Sequence, residues 1–243
     1  MLRTRYSEIS VPPQQSGESP QPPLELPYPE NAEIIPLVKP AEIEVPSMDL
    51  RQAVEQRRSL RVYSEVSLTQ AELSYLLWMS QGVKKVSKRP ATLRTVPSAG
   101  ARHAFETYVL INRVEGIPPG LYRFLAIEHA LLPLDLTDEI NARLTHACEQ
   151  QSQVAESAAT FFWVAVVERM FWRYVERGYR YLHLDAGHVC QNLALAAEQI
   201  GGGICPIAAF DDDELNSVLE LDGDNQFVIY LASMGKRKQV EGS

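Results

Sequence analysis

The stretch Asp185–Phe210, DAGHVCQNLALAAEQIGGGICPIAAF, is the one from which the rest of the chain is best read. Ala186, Val189, Cys190, Leu193, Ala196, Ala197 and Ile200 recur at three- and four-residue spacing, the pattern of an apolar stripe on a helix. Ala194 and Gly187 widen that stripe, so little of the helix faces water. Asp185 stands where an N-cap belongs, and Gly201 where a left-handed C′ residue belongs. This is a core helix. After it, Gly201, Gly202 and Gly203 leave successive backbone units without a Cβ, and Pro206 fixes φ. Such a main chain can approach a flat ligand closely. A helix stop followed by a flexible loop explains the same glycines.

Length and composition bound what surrounds that helix. A chain of 243 residues, 45% of them hydrophobic, buries a large core in one domain or two. A formal charge of −8 argues against nucleic acid as the main partner, because phosphate neutralisation needs a basic face. No apolar run reaches the length of a membrane span, and the first residues lack an apolar signal core. Cys148, Cys190 and Cys205 are odd in number and lack CxxC spacing, which reads as reduced thiols in a cytoplasmic protein.

Residues 1–46 hold ten of the sixteen prolines and read as an extended, partly disordered arm; its LELPYP and AEIIPLV segments are apolar enough to dock, for instance on a second subunit. Residues 47–243 form the folded domain. A helix is expected from Asp49 to Arg58, with Leu50, Ala53 and Val54 inward, running into RRSLR. There Arg57, Arg58 and Arg61 surround Ser59. Cations gather at a helix C-terminus to meet its dipole, and guanidinium forks also clamp phosphate. Leu68–Gln81 is the best-marked helix, with a Thr69/Glu72 capping box and Gly82 at its end. A basic loop follows, with Lys84, Lys85, Lys88, Arg89 and Arg94.

Pro97, Ser98, Ala99 and Gly100 make a tight loop before a strand at Thr107–Val114. Pro118, Pro119 and Gly120 read as a type II turn, leading to short strands at Leu121–Phe124 and Ala130–Leu134. A helix capped by Thr137 is expected from Asp138 to about Gln151. Thr160–Val167, TFFWVAVV, suits a central strand covered on both faces. Glu168 to about Leu182 reads as helix. Asp211 and Glu214 start another, and a second buried strand runs through Phe227–Leu231 to the Gly235-Lys236-Arg237-Lys238 cluster. The hairpin-like order gives an α+β protein with a mixed or antiparallel central sheet flanked by helices. The GGG run follows a helix rather than a first strand, so it is no dinucleotide fingerprint, and no P-loop is present. His183 and His188 flank Asp185, but their spacing does not share one helix face and no third ligand is near, so no metal site is expected.

RRSLR, PSAG before a strand, a small-residue helix ending in GGGICPIAA, and GKRK after the last strand occur in that order. The arrangement resembles the nitroreductase-like flavoprotein family. LTQAELSYLLWMSQGV, RTVPSAGARHAFETYVLI, GLYRF and AGHVCQNLALAAEQIGGGICPIAAFDDDEL look like its SagB-type branch, which includes thiazole- and oxazole-forming dehydrogenases; the match spans about residues 48 to 238. The resemblance implies an intertwined homodimer with FMN at the subunit interface. Arg57, Arg58, Ser59 and Arg61 would meet the phosphate, ribityl chain and pyrimidine edge, and Lys236, Arg237 and Lys238 would complete the phosphate site. Pro97, Ser98, Ala99 and Gly100 would reach the isoalloxazine from the other subunit. Pro206, Ile207, Ala208 and Ala209 would present backbone beside the ring.

Two departures from the family pattern stand out. Ala101, Arg102 and His103 occupy the stretch where nitroreductases often carry Asn, and His103 is a candidate substrate contact. Arg173 and Tyr174 stand where azoline dehydrogenases tend to carry Lys-Tyr. Arginine keeps its proton at physiological pH, so Arg173 suits binding of an anionic substrate better than base chemistry, which leaves Tyr174 as the catalytic candidate. The expectation is an FMN-dependent oxidoreductase passing hydride through flavin N5, with NAD(P)H or a small-molecule or peptide substrate as donor. The alternatives are an azoline dehydrogenase on a modified peptide and a non-catalytic FMN-binding or docking dimer.

Overall fold

The computed structural model describes residues 4–238. Its strands are β1 (Ile35–Pro36), β2 (Val83–Val86), β3 (Thr92–Arg94), β4 (Phe105–Ile111), β5 (Gly120–Leu125), β6 (Ala130–Asp135), β7 (Ala159–Val166), β8 (Gly202–Ile207) and β9 (Gln226–Lys236). Its helices are α1 (Pro13–Ser16), α2 (Leu50–Gln56), α3 (Gln70–Gln81), α4 (Ile140–Ala147), α5 (Ser152–Ala155), α6 (Val167–Tyr174), α7 (Gly178–Gln199) and α8 (Asp212–Val218). Seven strands form one sheet in the order β1-β6-β5-β4-β7-β9-β8, with every neighbouring pair antiparallel.

TFFWVAVV supplies the central strand because its side chains must be buried on both faces, and every residue of β7 is buried. Period-two alternation sends Phe161 and Trp163 into a core shared with Leu73, Leu76 and Leu77 of α3 and Leu182, Val189 and Leu193 of α7. Phe162 and Val164 point the other way, into a core with Ile140 and Leu144 of α4 and Leu215 of α8. Complete burial of an aromatic ring stabilises by about 1.5–3 kcal/mol, so β7 is the strand the two layers are built on. The fold is α+β, a sheet between two helical layers.

Local signals hold at most ends. Thr69 and Glu72 close both halves of the capping box on α3, and Asp211 accepts from Glu214 N to start α8. Elsewhere neighbours decide. Lys84–Arg94 is a hairpin, β2 with β3, rather than a loop. The tight turn after β4 is Val114–Ile117, with Gly116 at φ 72°, while Gly120 opens β5. The helix expected to run to Gln151 stops at Ala147, ahead of the left-handed Glu149 and Gln150; its N-cap is Glu139 with no side-chain bond, and Thr137, the expected cap, donates its N–H and hydroxyl to Asp135. On α2 only Ala53 is buried; Leu50 and Val54 are exposed.

The proline-rich arm lies against its own chain. Ile35 and Pro36 pair with β6, and Trp172 Nε1 donates to Ser19 O at 3.1 Å. Arg123 donates to the carbonyls of Leu26 and Pro27, and Glu25 Oε1 accepts from Ala126 N and Ile127 N. Burial, then a hydrogen bond with the Glu128 carboxyl, pushes Glu25 up from its ordinary 4.5 to about 8. Because the folded value lies above the unfolded one, this contribution to docking is complete below pH 4.5 and is lost as pH rises through 8. Glu25→Gln keeps the acceptor oxygen and removes the titration. Limited proteolysis of the arm should therefore accelerate between pH 5 and 9 in the parent protein and stay flat in the variant. Equal pH dependence in both would refute that assignment.

Candidate flavin site

The helix that opened the reading is longer than its apolar stripe. α7 starts at Gly178, so Asp185 lies inside it rather than at its N-cap. Asp185 falls three residues after Leu182 and four before Val189, on the buried face. A carboxylate there needs donors, and it finds the loop next door: Ala99 N approaches its two oxygens at 3.3 and 3.1 Å. Burial raises the Asp185 carboxyl, and the Ser98 hydroxyl and Ala99 N–H pull it back. Asp185 thus pins the Pro97–Gly100 loop to α7, a role the sequence reading missed. The clue was a lone acid on an apolar stripe.

The loop itself is conformationally unusual. Gly100, Ala101 and His103 have φ of 57°, 52° and 44°, and Ser98 Oγ accepts from His103 N at 2.9 Å. Non-glycine residues held there carry strain of the kind found at ligand sites. A Cβ on Gly100 would sit 2.5 Å from Tyr174 Oη and 2.8 Å from Arg173 Nε, so the catalytic candidate and one substrate candidate meet this loop in one chain. His103 is buried, not on the surface. Burial first, then Arg94 and Arg102, lowers its imidazole to about 3, which favours the neutral ring.

At the other end of α7 the glycines divide the work. Gly201 takes the left-handed C′ position at φ 70°, while Gly202 and Gly203 begin β8. The RRSLR segment runs along the free side of this strand: Leu60 N donates to Ile204 O at 2.8 Å, and a Cβ on Gly203 would come within 3.0 Å of Leu60 Cβ. Because ladder groups alternate, Pro206 presents its main chain to the same outer edge. Ile207 is buried and Ala208 exposed, and Gln151 Nε2 takes the Ala209 carbonyl at 2.7 Å. Burial raises the Cys190 thiol to about 12, offset by Tyr230 and Arg57; burial likewise raises Cys205, offset by Arg61. Arg57 and Arg61 thus stand within electrostatic reach of Cys190 on α7 and Cys205 on β8.

Arg58, Ser59 and Arg61 are exposed, Arg57 is half-buried, and among the described residues none of these arginines joins an ion pair. The GKRK cations differ. Lys236 Nζ reaches Glu72 Oε1 and Ile200 O, and Arg237 Nη2 binds both oxygens of Glu198 at 2.5 and 2.6 Å. Lys238 is exposed. A phosphate is therefore matched first by Arg57, Arg58 and Arg61, beside a strand whose glycines leave its edge bare. Three cations without counter-ions among the described residues, on such an edge, fit a phosphorylated planar cofactor. Asp185 and Glu198 stand thirteen residues apart on α7, roughly 20 Å at about 1.5 Å per residue. The Pro97–Gly100 loop, held near the middle of α7, and the GKRK cluster at its C-terminal end are thus well separated along the helix of one chain. Among the described residues no three His, Cys, Asp or Glu side chains gather as a metal site.

Residues 54–236 match the model of the nitroreductase family. The chain belongs to that family. A nitroreductase-designated protein of Methanocaldococcus jannaschii, MJ1384, is 32% identical over 199 residues, 81% of this chain and 96% of its own. The trifolitoxin-processing protein TfxB of Rhizobium leguminosarum bv. trifolii is 32% identical over 136 residues, 53% of this chain but only 36% of TfxB. Among solved structures, a nitroreductase-designated protein of Anabaena variabilis superposes with TM-score 0.64 at 29% identity, over 76% of this chain and 37% of that one. This nitroreductase-family chain spans little over a third of the length of those last two relatives. The Escherichia coli microcin synthetase McbBCD complex with truncated pro-MccB17 bound gives TM-score 0.62 at 20% identity, covering 86% of this chain and 80% of that one. An Exiguobacterium sibiricum protein in complex with FMN gives 0.58 at 16%, covering 82% and 93%. The last two likenesses concern the fold.

Proposed function

We propose that this nitroreductase-family protein is an FMN-dependent oxidoreductase that works in the cytoplasm as a homodimer. The observation that carries the reading is the set of guanidiniums Arg57, Arg58 and Arg61, which join no ion pair among the described residues, along the outer edge of glycine-opened β8. FMN bound there would supply the hydride-transfer chemistry. The protein's own part is to hold the phosphate with those arginines and to keep a carbon framework of small residues, Pro206 to Ala209, beside the ring. Lys236 and Arg237 stiffen the same edge through Glu72 and Glu198. The span of α7 supports a two-copy site, in which the Pro97–Gly100 loop of one subunit serves the edge of the other. Leu50, Val54 and Leu184 are exposed apolar residues available to such an interface, and Gly187 has open space over it.

Anaerobic addition of NADH to the purified protein should bleach a flavin absorbance band. A band that persists would sink the reductase reading; absence of flavin after incubation with FMN would sink the cofactor itself. The likeness to TfxB and to the McbBCD complex favours a second reading, oxidation of an azoline in a modified peptide. Arg173 weighs against it, since an arginine does not take up the proton that azoline oxidation releases. Under that reading the band persists with NADH and bleaches with an azoline peptide.

A further inference from the structure

Carboxylates account for Arg5, Arg51, Arg113, Arg143, Arg169 and Arg237. Arg102 and Arg173 stand in no ion pair among the described residues, although both are half-buried and both hang on one residue. Arg102 Nε donates to Gly100 O at 3.1 Å, and its guanidinium lies 5.4 Å over the Trp172 ring. Arg173 Nε closes on Gly100 from the side where a Cβ would be, and its guanidinium lies 5.6 Å from the Tyr174 ring. Burial, then the charge of Arg173, lowers the Arg102 guanidinium. Two like charges are thus held together by aromatic faces, flanked by left-handed backbone at Gly100, Ala101, His103 and Val175. Such an arrangement is unfavourable alone and becomes favourable when an anion sits between the forks.

A separate cavity of about 790 Å³ lies under the N-terminal arm, walled by Ile9, Phe171, Arg177, Tyr179 and Arg180; Arg102 and Arg173 do not line it.

We propose that Arg102 and Arg173 form an oxyanion subsite on the Pro97–Gly100 loop, which selects substrates bearing a carboxylate or phosphate. Tyr174 Oη stands over Gly100 beside it. The identification of the ligand as substrate rests on the oxidoreductase reading; the anion preference does not. The test titrates FMN-incubated full-length protein with benzoate, phenyl phosphate and neutral benzamide by calorimetry at low salt, recording flavin content by visible absorbance in every sample. Benzoate or phenyl phosphate should bind at least about ten-fold more tightly than benzamide, and whichever leads identifies the carboxylate or the phosphate class. Arg102→Gln and Arg173→Gln should each weaken the anion about ten-fold or more with benzamide unchanged, and the lysine variants should retain part of the affinity. Equal binding of benzamide, or unchanged anion affinity in both glutamine variants, overturns the subsite even if flavin is bound. Anion preference that disappears in those variants, in protein that takes up no flavin, keeps the subsite and overturns the oxidoreductase reading.

Discussion

Glu106→Ala is expected to lower stability by about 3–5 kcal/mol, the typical result of stranding one member of a buried ion pair. Glu106 and Arg169 lie 2.5 Å apart with side chains only 4% and 3% exposed. Glu106 Oε1 also accepts from Leu26 N at 2.8 Å, and Arg169 Nε donates to Pro23 O at 2.8 Å. The pair is therefore a two-pronged hook on the proline-rich arm, whose own prolines offer carbonyls but few donors. The measurement is the denaturation midpoint, with proteolysis of residues 18–30 followed in parallel. A Glu106→Leu/Arg169→Met double variant should recover much of the loss, because it leaves no buried charge unpaired. A loss below about 1 kcal/mol in Glu106→Ala would mean that the pair is solvated and the arm held by its other contacts.

The second large effect concerns the cofactor. Arg58→Ala/Arg61→Ala should raise the dissociation constant for FMN by about 100-fold or more, since each hydrogen bond to a charged group contributes about 1.5–3 kcal/mol. Riboflavin, which lacks the phosphate, is the internal control: the parent protein should prefer FMN strongly and the double variant should not. Both arginines are exposed, so the fold should survive the change. If the variant still prefers FMN by the parental margin, the phosphate lies elsewhere, with Lys236 and Arg237 the next candidates after release from Glu72 and Glu198.

What could be read in the sequence was what local chemistry controls. TFFWVAVV has no other comfortable place than a strand buried on both faces, and Thr69 with Glu72 can hardly cap anything but α3. RRSLR and GGGICPIAA were legible as segments, and the structure brings them edge to edge through Leu60 and Ile204. What escaped was set by residues distant in sequence. Asp185 resembled an N-cap because it is an acid standing directly before the Ala186–Ile200 stripe; its contact with Ala99, 86 positions away, sets its role. The Lys236–Glu72 and Arg237–Glu198 pairs join residues 164 and 39 positions apart, so no spacing rule reveals that these cations carry counter-ions. The β2–β3 hairpin hid behind its lysines, since a two-stranded ribbon with a solvated face resembles a basic loop.

The position of β9 constrains the order of assembly. It is the latest of these strands to leave the ribosome, yet it is inserted between β7 and β8, and among the described residues β8 has no other strand neighbour. Until residue 236 emerges, β8 has nothing to pair with, the edge beside RRSLR does not exist, and Glu72 and Glu198 lack their partners. The hairpins β4–β5–β6 and the contact of β7 with β4 can form earlier from sequence-local or nearby segments. Synthesis thus leaves the nascent chain with a half-sheet whose β7 edge is open and hydrophobic, the kind of surface that chaperones cover. On this topology the outer edge of β8 is complete only once β9 has joined the sheet.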